Sequence, residues 1–495
     1  MRAERDDSEL LLAAEDCEEQ LFRELSVFSA LEEGILRRLI AHGPVLLRGA
    51  RGSGKSTLLR EAALRLQRHE VHGANAVGVY VSLRHLPLLT SRDREYEEYF
   101  YRFLIPAVAR AADRPDFAPR ATTADVQEGL SELAGELGRR IVLLFDDAAH
   151  IGRDAPRTEF FDLFRTLSGS RVSCKAAIYP GVTNFGQRFD VYNDATVLDL
   201  ARNEAHAGFG QFFEQVLVQR FGAALPGERW IVPRAKAAEF VARAVLGNVR
   251  AFVFVCNRLL EACEREPLLR IGGGQLGETL IAQAREYFWP LIEEVRPKLG
   301  RNESMVAAAQ TLAEGLYTAA ADARRRSVVI LREHVERLAK PLEILEYCGF
   351  VTRREASIGM KSTGRGARFS LNLCNLLERM PGSRLTSELF DQWMERDRES
   401  LELHRGIDWL RDLSLPKARA EAALTILGLP LETLRKSNAY PYGLTDARVT
   451  ALHEGGFHTI ADLAGASREA LDAVPTIGEQ WVNRIQAVVG QAVWM

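Results

Sequence analysis

No segment of this chain approaches the ~20 consecutive apolar residues that a membrane-spanning helix requires. Residues 1 to 19 are polar and acidic and hold no apolar signal core, so the expected location is the cytoplasm, with no membrane partner. Cysteine is scarce: six in 495 residues, at positions 17, 174, 256, 263, 348 and 374. No two have C-x-x-C spacing and no histidine cluster lies beside them. A zinc site and a disulfide framework are therefore excluded as organising features, which leaves buried reduced thiols. An excess of one charge is missing as well. Lys plus Arg is 64 and Asp plus Glu is 67, for a formal net charge of −3. A polyanion partner is neither required nor excluded, and any site for one must be a local patch. Internal repeats and low-complexity tracts are absent, which argues against a solenoid.

What the chain has is a soluble, globular composition, 47% hydrophobic and 26% charged, over a length that suggests three or four domains. Apolar residues at Leu21, Phe22, Leu25, Phe28, Leu31, Ile35 and Leu39 recur at three- and four-residue steps, one face of a helix. Five short apolar runs then read as buried strands: Val45 to Leu47, Val77 to Val81, Ile141 to Phe145, Cys174 to Tyr179 and Ala195 to Leu200. Helical patterns separate them, which predicts a parallel α/β sheet covered on both faces.

The first strand runs into Gly49-Ala-Arg-Gly52-Ser53-Gly54-Lys55-Ser56-Thr57, which fits G-x-x-x-x-G-K-[ST]. Glycines let the loop wrap so that its N–H groups face phosphates. Lys55 supplies a point charge to the β- and γ-phosphates, and the Ser56 hydroxyl is a magnesium ligand. The helix that follows adds its positive end. The expected ligands are ATP and Mg2+. The third strand ends in Asp146-Asp147, carboxylates delivered at the C-terminal edge of a sheet, where such folds bind ligands. Asp146 is expected to hold magnesium and Asp147 to orient or polarise the attacking water.

These residues resemble an AAA+ ATPase of the origin-recognition/replication-initiator type, a group that shades into the signalling ATPases with numerous domains. The resemblance spans roughly residues 20 to 375. It implies a γ-phosphate sensor in the Tyr179 to Asn184 segment, at Asn184 or Thr183. It also implies a second sensor, Arg250, in Gly247-Asn-Val-Arg250, and an arginine finger at Arg188, with Arg202 as an equally plain surface candidate. ATPases of this layout usually carry Glu where Asp147 stands, so the shorter side chain implies slow hydrolysis.

Beyond the sheet, residues 204 to 300 read as a helical lid. Residues 301 to 382 have the outline of a winged helix: helices, then a hairpin with a basic, Gly-rich tip between Gly359 and Gly366. Arg353, Arg354, Lys361, Arg365 and Arg368 surround that hairpin and are candidate contacts to DNA phosphates, the alternative being a solvated hairpin in a protein-docking domain. Residues 383 to 436 look like a polar helical connector, and 437 to 495 a small all-α unit. That last unit is similar to a helix-hairpin-helix pair and to the C-terminal domain of bacterial RNA polymerase α. Gly478 keeps a phosphate-facing position there, but Thr476 replaces the expected first glycine, which leaves a fold-only or protein-docking role open. The overall expectation is an α/β P-loop NTPase with a helical lid, a winged-helix-like domain and a small C-terminal module. It would act as an ATP-dependent switch on double-stranded DNA and form a homo-oligomer or bind a partner protein. A signalling or antiviral-defence ATPase that recognises protein is the alternative.

Overall fold

The computed structural model describes residues 17–68, 75–83, 93–149, 154–180, 185, 188–299, 302–362, 364–416, 425–436 and 443–494. All five expected strands form: β1 (Val45–Arg48), β2 (Ala76–Ser82), β3 (Arg140–Ala149), β4 (Val172–Ile178) and β5 (Thr196–Asp199). They make one sheet in the order β2-β3-β4-β1-β5, and every recorded pairing in it is parallel. This is the layout of a P-loop AAA+ core. One strand, β4, separates β1, which leads into the glycine loop, from β3, which delivers the acids.

The period-2 pattern of β3 shows why the sheet is covered twice. Ile141, Leu143 and Phe145 point into a large aromatic core with Phe100, Phe160 and Phe164. Val142 and Leu144 point the other way, into a smaller cluster with Ile35, Leu39, Leu58 and Leu59. The second face is closed by helices Ala30–Ile40 and Lys55–Gln67. Helix Lys55–Gln67 lies so close to β2 that a Cβ on Gly78 would sit 2.8 Å from the Ala63 backbone.

A second, four-stranded sheet runs in the order β7-β8-β6-β9. Here β6 is Ser327–Leu331, β7 Val351–Gly359, β8 Arg365–Leu371 and β9 Leu401–Leu403. The β7–β8 hairpin is antiparallel and its tip lies between Gly359 and Arg365. Helices Met305–Asp322 and Ala339–Tyr347 precede it. The segment read from sequence as a helical connector contributes β9, which pairs parallel to β6 through Val328↔Leu401. A three-residue strand leaves too short an alternation to be legible.

The C-terminal residues fold as helices Asp446–Glu454, Ile460–Ala464, Arg468–Asp472 and Glu479–Trp494. All six cysteines are buried. Among the described residues no helix is long and apolar enough to cross a membrane, and no group of three or more His, Cys, Asp or Glu side chains is placed to hold a metal ion.

Candidate nucleotide site

Gly49 to Gly54 connects β1 to helix Lys55–Gln67, with Gly52 at φ +78° and the N-cap Gly54 at φ +96°. Five successive carbonyls of this loop are held from different directions. Lys55 Nζ donates to Gly49 O at 2.8 Å and Ala50 O at 3.1 Å. Asn248 Nδ2 donates to Arg51 O at 2.6 Å, and the Arg250 N–H donates to Gly52 O at 3.1 Å. Arg202 Nη1 donates to Ser53 O at 2.6 Å. These donors fix the loop's shape, and among the described residues the N–H groups of Gly52, Gly54 and Lys55 have no recorded acceptor, as anion binding requires. Gly52 is obligatory for two reasons. Its φ lies in the left-handed region, and a Cβ there would sit 2.6 Å from both Arg250 Cβ and Asn248 Oδ1.

The donors come from elements that the sequence places far apart. Ser29 opens helix Ala30–Ile40 with a capping box whose Glu32 accepts from the Ser29 N–H at 3.0 Å. The same Glu32 pairs with Arg202 at 2.8 Å, and both side chains are buried. Arg202 therefore ties a helix cap to the glycine loop and is not the surface residue its flanking sequence suggests. Asn248 N-caps helix Val249–Arg265, its Oδ1 accepting from the Ala251 N–H at 3.1 Å while its Nδ2 holds the loop. The Gly247-Asn-Val-Arg250 element thus rests directly on the P-loop.

Opposite the loop, Asp146 and Asp147 lie in β3 where its pairing with β4 is interrupted, between Phe145 and Ala149. Asp146 is 1% exposed. Its Oδ2 accepts from the Tyr80 hydroxyl at 2.7 Å and its Oδ1 from the Asp147 N–H at 3.0 Å. Asp147 sits at φ +53°, a conformation that costs a non-glycine residue about 1 kcal/mol or more and that clusters at functional sites. Lys55, 6% exposed, lies with Nζ 3.9 Å from the centroid of the Tyr179 ring. Burial pushes its ammonium down to about 7. Asp146 and Asp147 oppose that shift, and Arg250 adds to it. Lys55, both aspartates and Arg250 therefore share one electrostatic neighbourhood. Tyr179 belongs to it too: burial, then Asp147, holds its phenol well above the usual range.

The residues present fit a magnesium-bound triphosphate. Ser53 Oγ is buried without a hydrogen-bond partner inside the loop, an orphan that a phosphate oxygen or its water would satisfy. Ser56 and Thr57 are half-buried at the first turn of the helix. Both carboxylate oxygens of Asp146 already accept a bond and retain further lone pairs, which suits a water-mediated magnesium contact.

Three side chains that sequence reasoning did not assign complete the site. Arg51 of the loop is buried, with Nη2 3.8 Å from Glu294 of helix Trp289–Val295. Burial works against its charge, but Glu294 and the surrounding tyrosines hold it above the ordinary guanidinium range. The Tyr179 ring packs on the ring of Tyr347, centroids 5.0 Å apart. Tyr347 ends the helix that precedes the β7–β8 hairpin, so the second sheet's own helix reaches the lysine of the P-loop through one aromatic. Arg51 stands at a variable position of the glycine loop, and no local pattern marks Glu294 or Tyr347 as its neighbours.

Other expected residues lie elsewhere. Asn184 and Thr183 fall outside the described residues. Arg188 is exposed, and its carbonyl accepts from Arg165 at 2.6 Å. Around the hairpin, Arg353 is exposed and lies over the Phe369 ring. Lys361 and Arg365 are exposed at the tip, where Arg365 Nε donates to Ser357 Oγ at 2.7 Å. Arg354 turns inward instead. It donates to Arg202 O at 3.1 Å, pairs with Glu204 at 3.8 Å, and its side chain is 9% exposed, out of reach of an external phosphate. Arg368 is committed to Asp397 at 3.1 Å and Glu355 at 3.3 Å. In the C-terminal unit Thr476 takes φ +72° despite its side chain, its hydroxyl accepting from Arg448 at 2.7 Å. Gly478 is exposed, and its carbonyl accepts from the Trp481 N–H at 2.8 Å to start the last helix.

Residues 23–174 match the family model described as AAA ATPase domain, a span that takes in the glycine loop and both aspartates. No curated protein matches the sequence. Among solved structures, the chain is similar to the Walker-type ATPase PABY2304 of Pyrococcus abyssi, at 14% identity and TM-score 0.42, covering 71% of this chain and 95% of that one. It is also similar to the Aeropyrum pernix ORC1 protein in complex with DNA, at 16% identity and TM-score 0.33, covering 74% and 92%. Cdc6p from Pyrobaculum aerophilum is a third, at 16% identity and TM-score 0.33, covering 79% and 99%. The glycine loop, the acids on β3, the strand order and the family match together make residues 23–174 an AAA ATPase domain built around a P-loop.

Proposed function

We propose that this chain is an ATP-driven switch that acts on double-stranded DNA, with magnesium as the metal, the 204–300 lid and the 301–382 winged-helix-like unit as moving parts, and the cytoplasm as its location. The observation that carries the reading is the stack from Lys55 through Tyr179 to Tyr347. A triphosphate draws the Lys55 ammonium off the loop carbonyls. That changes what Tyr179 packs against, and the helix ending in Tyr347 is the next body in line. A ligand shifts such an equilibrium by its differential affinity for the two arrangements. The exposed tip cations Lys361 and Arg365, with Arg353, are placed at the hairpin to meet DNA phosphates. Gly478 offers a further backbone contact, and Arg250 is the proposed sensor. Arg188 is the proposed finger toward a neighbouring subunit of a homo-oligomer.

A second reading, a signalling or defence ATPase with a protein partner, is favoured by one feature. Helix Ala339–Tyr347 buries Pro341, Leu342, Ile344, Leu345 and Tyr347; it exposes Ala339 and shows Lys340, Glu343 and Glu346 in part. That is not a face that reads bases. ATPase rate with and without duplex DNA across a salt series separates the two. Stimulation that fades at high salt, and is weakened by Lys361→Glu with Arg365→Glu, supports the DNA switch. No duplex binding at low salt with ATP present sinks it.

A further inference from the structure

The second sheet has two ends, and its cations gather at both. The hairpin tip is one. At the other, where β6 begins at Ser327 opposite Ser370 of β8, a cleft of about 590 Å³ opens between the end of helix Met305–Asp322 and residues 392 to 399. Its acids are almost all committed: Asp397 to Arg368 at 3.1 Å and to Arg326 at 3.8 Å, and Glu399 to Arg325. Arg324, Arg396 and Arg398 are exposed on the cleft and, among the described residues, have no recorded ion pair or side-chain hydrogen bond. Glu395 is the one lining acid whose carboxylate is likewise uncommitted, so three cations face one anion.

The rim that carries them is fixed from beneath. Arg243 Nη1 donates to Glu395 O at 3.1 Å and Trp393 O at 3.4 Å, and the buried Arg326 reaches the same two carbonyls. Arginines on a held backbone around an open cavity suit phosphate, whose oxygens accept paired guanidinium bonds. Trp393, the aromatic of the lining, is 4% exposed and offers no ring face for a base to stack on. Recognition here must therefore rest on phosphate alone.

We infer that this cleft is a second phosphate-binding site, which takes the backbone of a nucleic acid without reading its bases. The choice of nucleic acid as the source of the phosphates rests on the DNA reading above. From Arg365 at the tip to Ser370 at the base is five residues of β8, roughly 17 Å, and one DNA strand covers that in about five nucleotides. Tip and cleft are thus spaced for one duplex.

The test compares wild type, Arg324→Ala/Arg396→Ala/Arg398→Ala and Lys361→Ala/Arg365→Ala, with duplex DNA and with inorganic tripolyphosphate, under saturating ADP and magnesium. The three cleft side chains are exposed and unpaired, so the cleft variant should keep its unfolding temperature and basal turnover. Its duplex affinity at low salt should fall about 10- to 100-fold, and the slope of log K against log salt should become shallower by about 2 to 3. If wild type binds duplex and the cleft variant keeps its slope, the inference falls while the DNA reading stands. If wild type ignores duplex but binds tripolyphosphate in a way the cleft variant loses, the DNA reading falls and the cleft stands as a site for free polyphosphate. If the variant changes binding of neither ligand, the cleft is overturned.

Discussion

The parallel sheet buries one lysine at each end of β1, and the pair separates a structural from a working use of the same chemistry. Lys175 on β4 is fully buried at the start of β1, donating to Ala41 O at 2.7 Å and to Gly43 O. Lys55 is buried at the other end, donating to Gly49 O and Ala50 O. Burial pushes both ammonium groups down, Lys175 to about 8 and Lys55 to about 7. A buried ammonium must find acceptors, and carbonyls serve at either end. The neighbours differ. Among the described residues no carboxylate is recorded acting on Lys175, whose partners close a corner between a helix and a strand. Lys55 faces Asp146, Asp147 and Arg250, and its carbonyls belong to a glycine loop whose N–H side is open to an anion. A lysine becomes part of a site when a ligand can take over the role of its carbonyl partners.

The largest expected difference is between Lys55→Ala and Lys175→Met. Loss of a charge-assisted contact worth roughly 3 kcal/mol should weaken ATP binding by about 100-fold or more in the first and abolish turnover. The second leaves the Ala41 and Gly43 carbonyls short of a donor. It should cost about 2–4 kcal/mol of stability, measured by denaturant unfolding, while ATP affinity per folded molecule stays at the wild-type value. A Lys175→Met protein that folds normally but cannot bind ATP would break the comparison.

Asp147→Asn comes next. The change keeps shape and removes the charge. Turnover should drop about 100-fold or more, while nucleotide affinity changes little. Hydrolysis at the wild-type rate would move the base elsewhere and leave φ +53° at Asp147 without a catalytic reason.

Much of this was legible because it is local. A P-loop, a strand ending in acids and a Gly-x-x-Arg before a helix are each written within ten residues, and the five apolar runs appear as β1 to β5. Asn184 lies outside the described residues. Arg202 and Arg354 show what local reading misses. Each looks like a surface arginine in its own stretch, and each is buried because an acid distant in sequence, Glu32 or Glu204, meets it. Tyr347 on Tyr179 is a contact across 168 positions with no pattern in either segment to announce it. The hairpin arginines divide on the same principle: composition marks them all as basic, and only the pairing partners decide which remain free. Thr476 marks the opposite limit. The sequence argued against a left-handed residue there, and the turn imposes φ +72° on it regardless.

The depressed lysines give a pH test of intermediate size. Both groups have folded values below their unfolded ones, so between about 7 and the ordinary lysine range the unfolded chain binds more protons than the folded one. Their burial therefore makes unfolding harder as pH rises through that window. Magnesium-ATP should reverse this for Lys55 alone, since phosphate restores the charge. Near pH 8, calorimetric binding in buffers of different ionisation enthalpy should reveal net proton uptake. Lys175→Met should keep that uptake. Its absence in wild type would mean that Lys55 is already charged before ATP arrives.

The smallest expected effect concerns the aromatic relay. Tyr347→Ala removes one ring pair, worth about 0.5–1.5 kcal/mol beyond buried area. If docking of helix Ala339–Tyr347 restrains the nucleotide site, the variant should raise basal turnover or ADP release by roughly 2- to 10-fold, with little change in ATP affinity. The counterpart Tyr347→Phe keeps the ring and should behave as wild type, because the stack and not the hydroxyl carries the coupling. Equal stimulation by both variants would assign the effect to the hydroxyl, which lies within electrostatic reach of Arg51 and Asp147. No stimulation by either would make the contact simple packing. The nucleotide would then have to act on the second sheet by another route, through Asn248, Arg250 and the helix Val249–Arg265 that they begin.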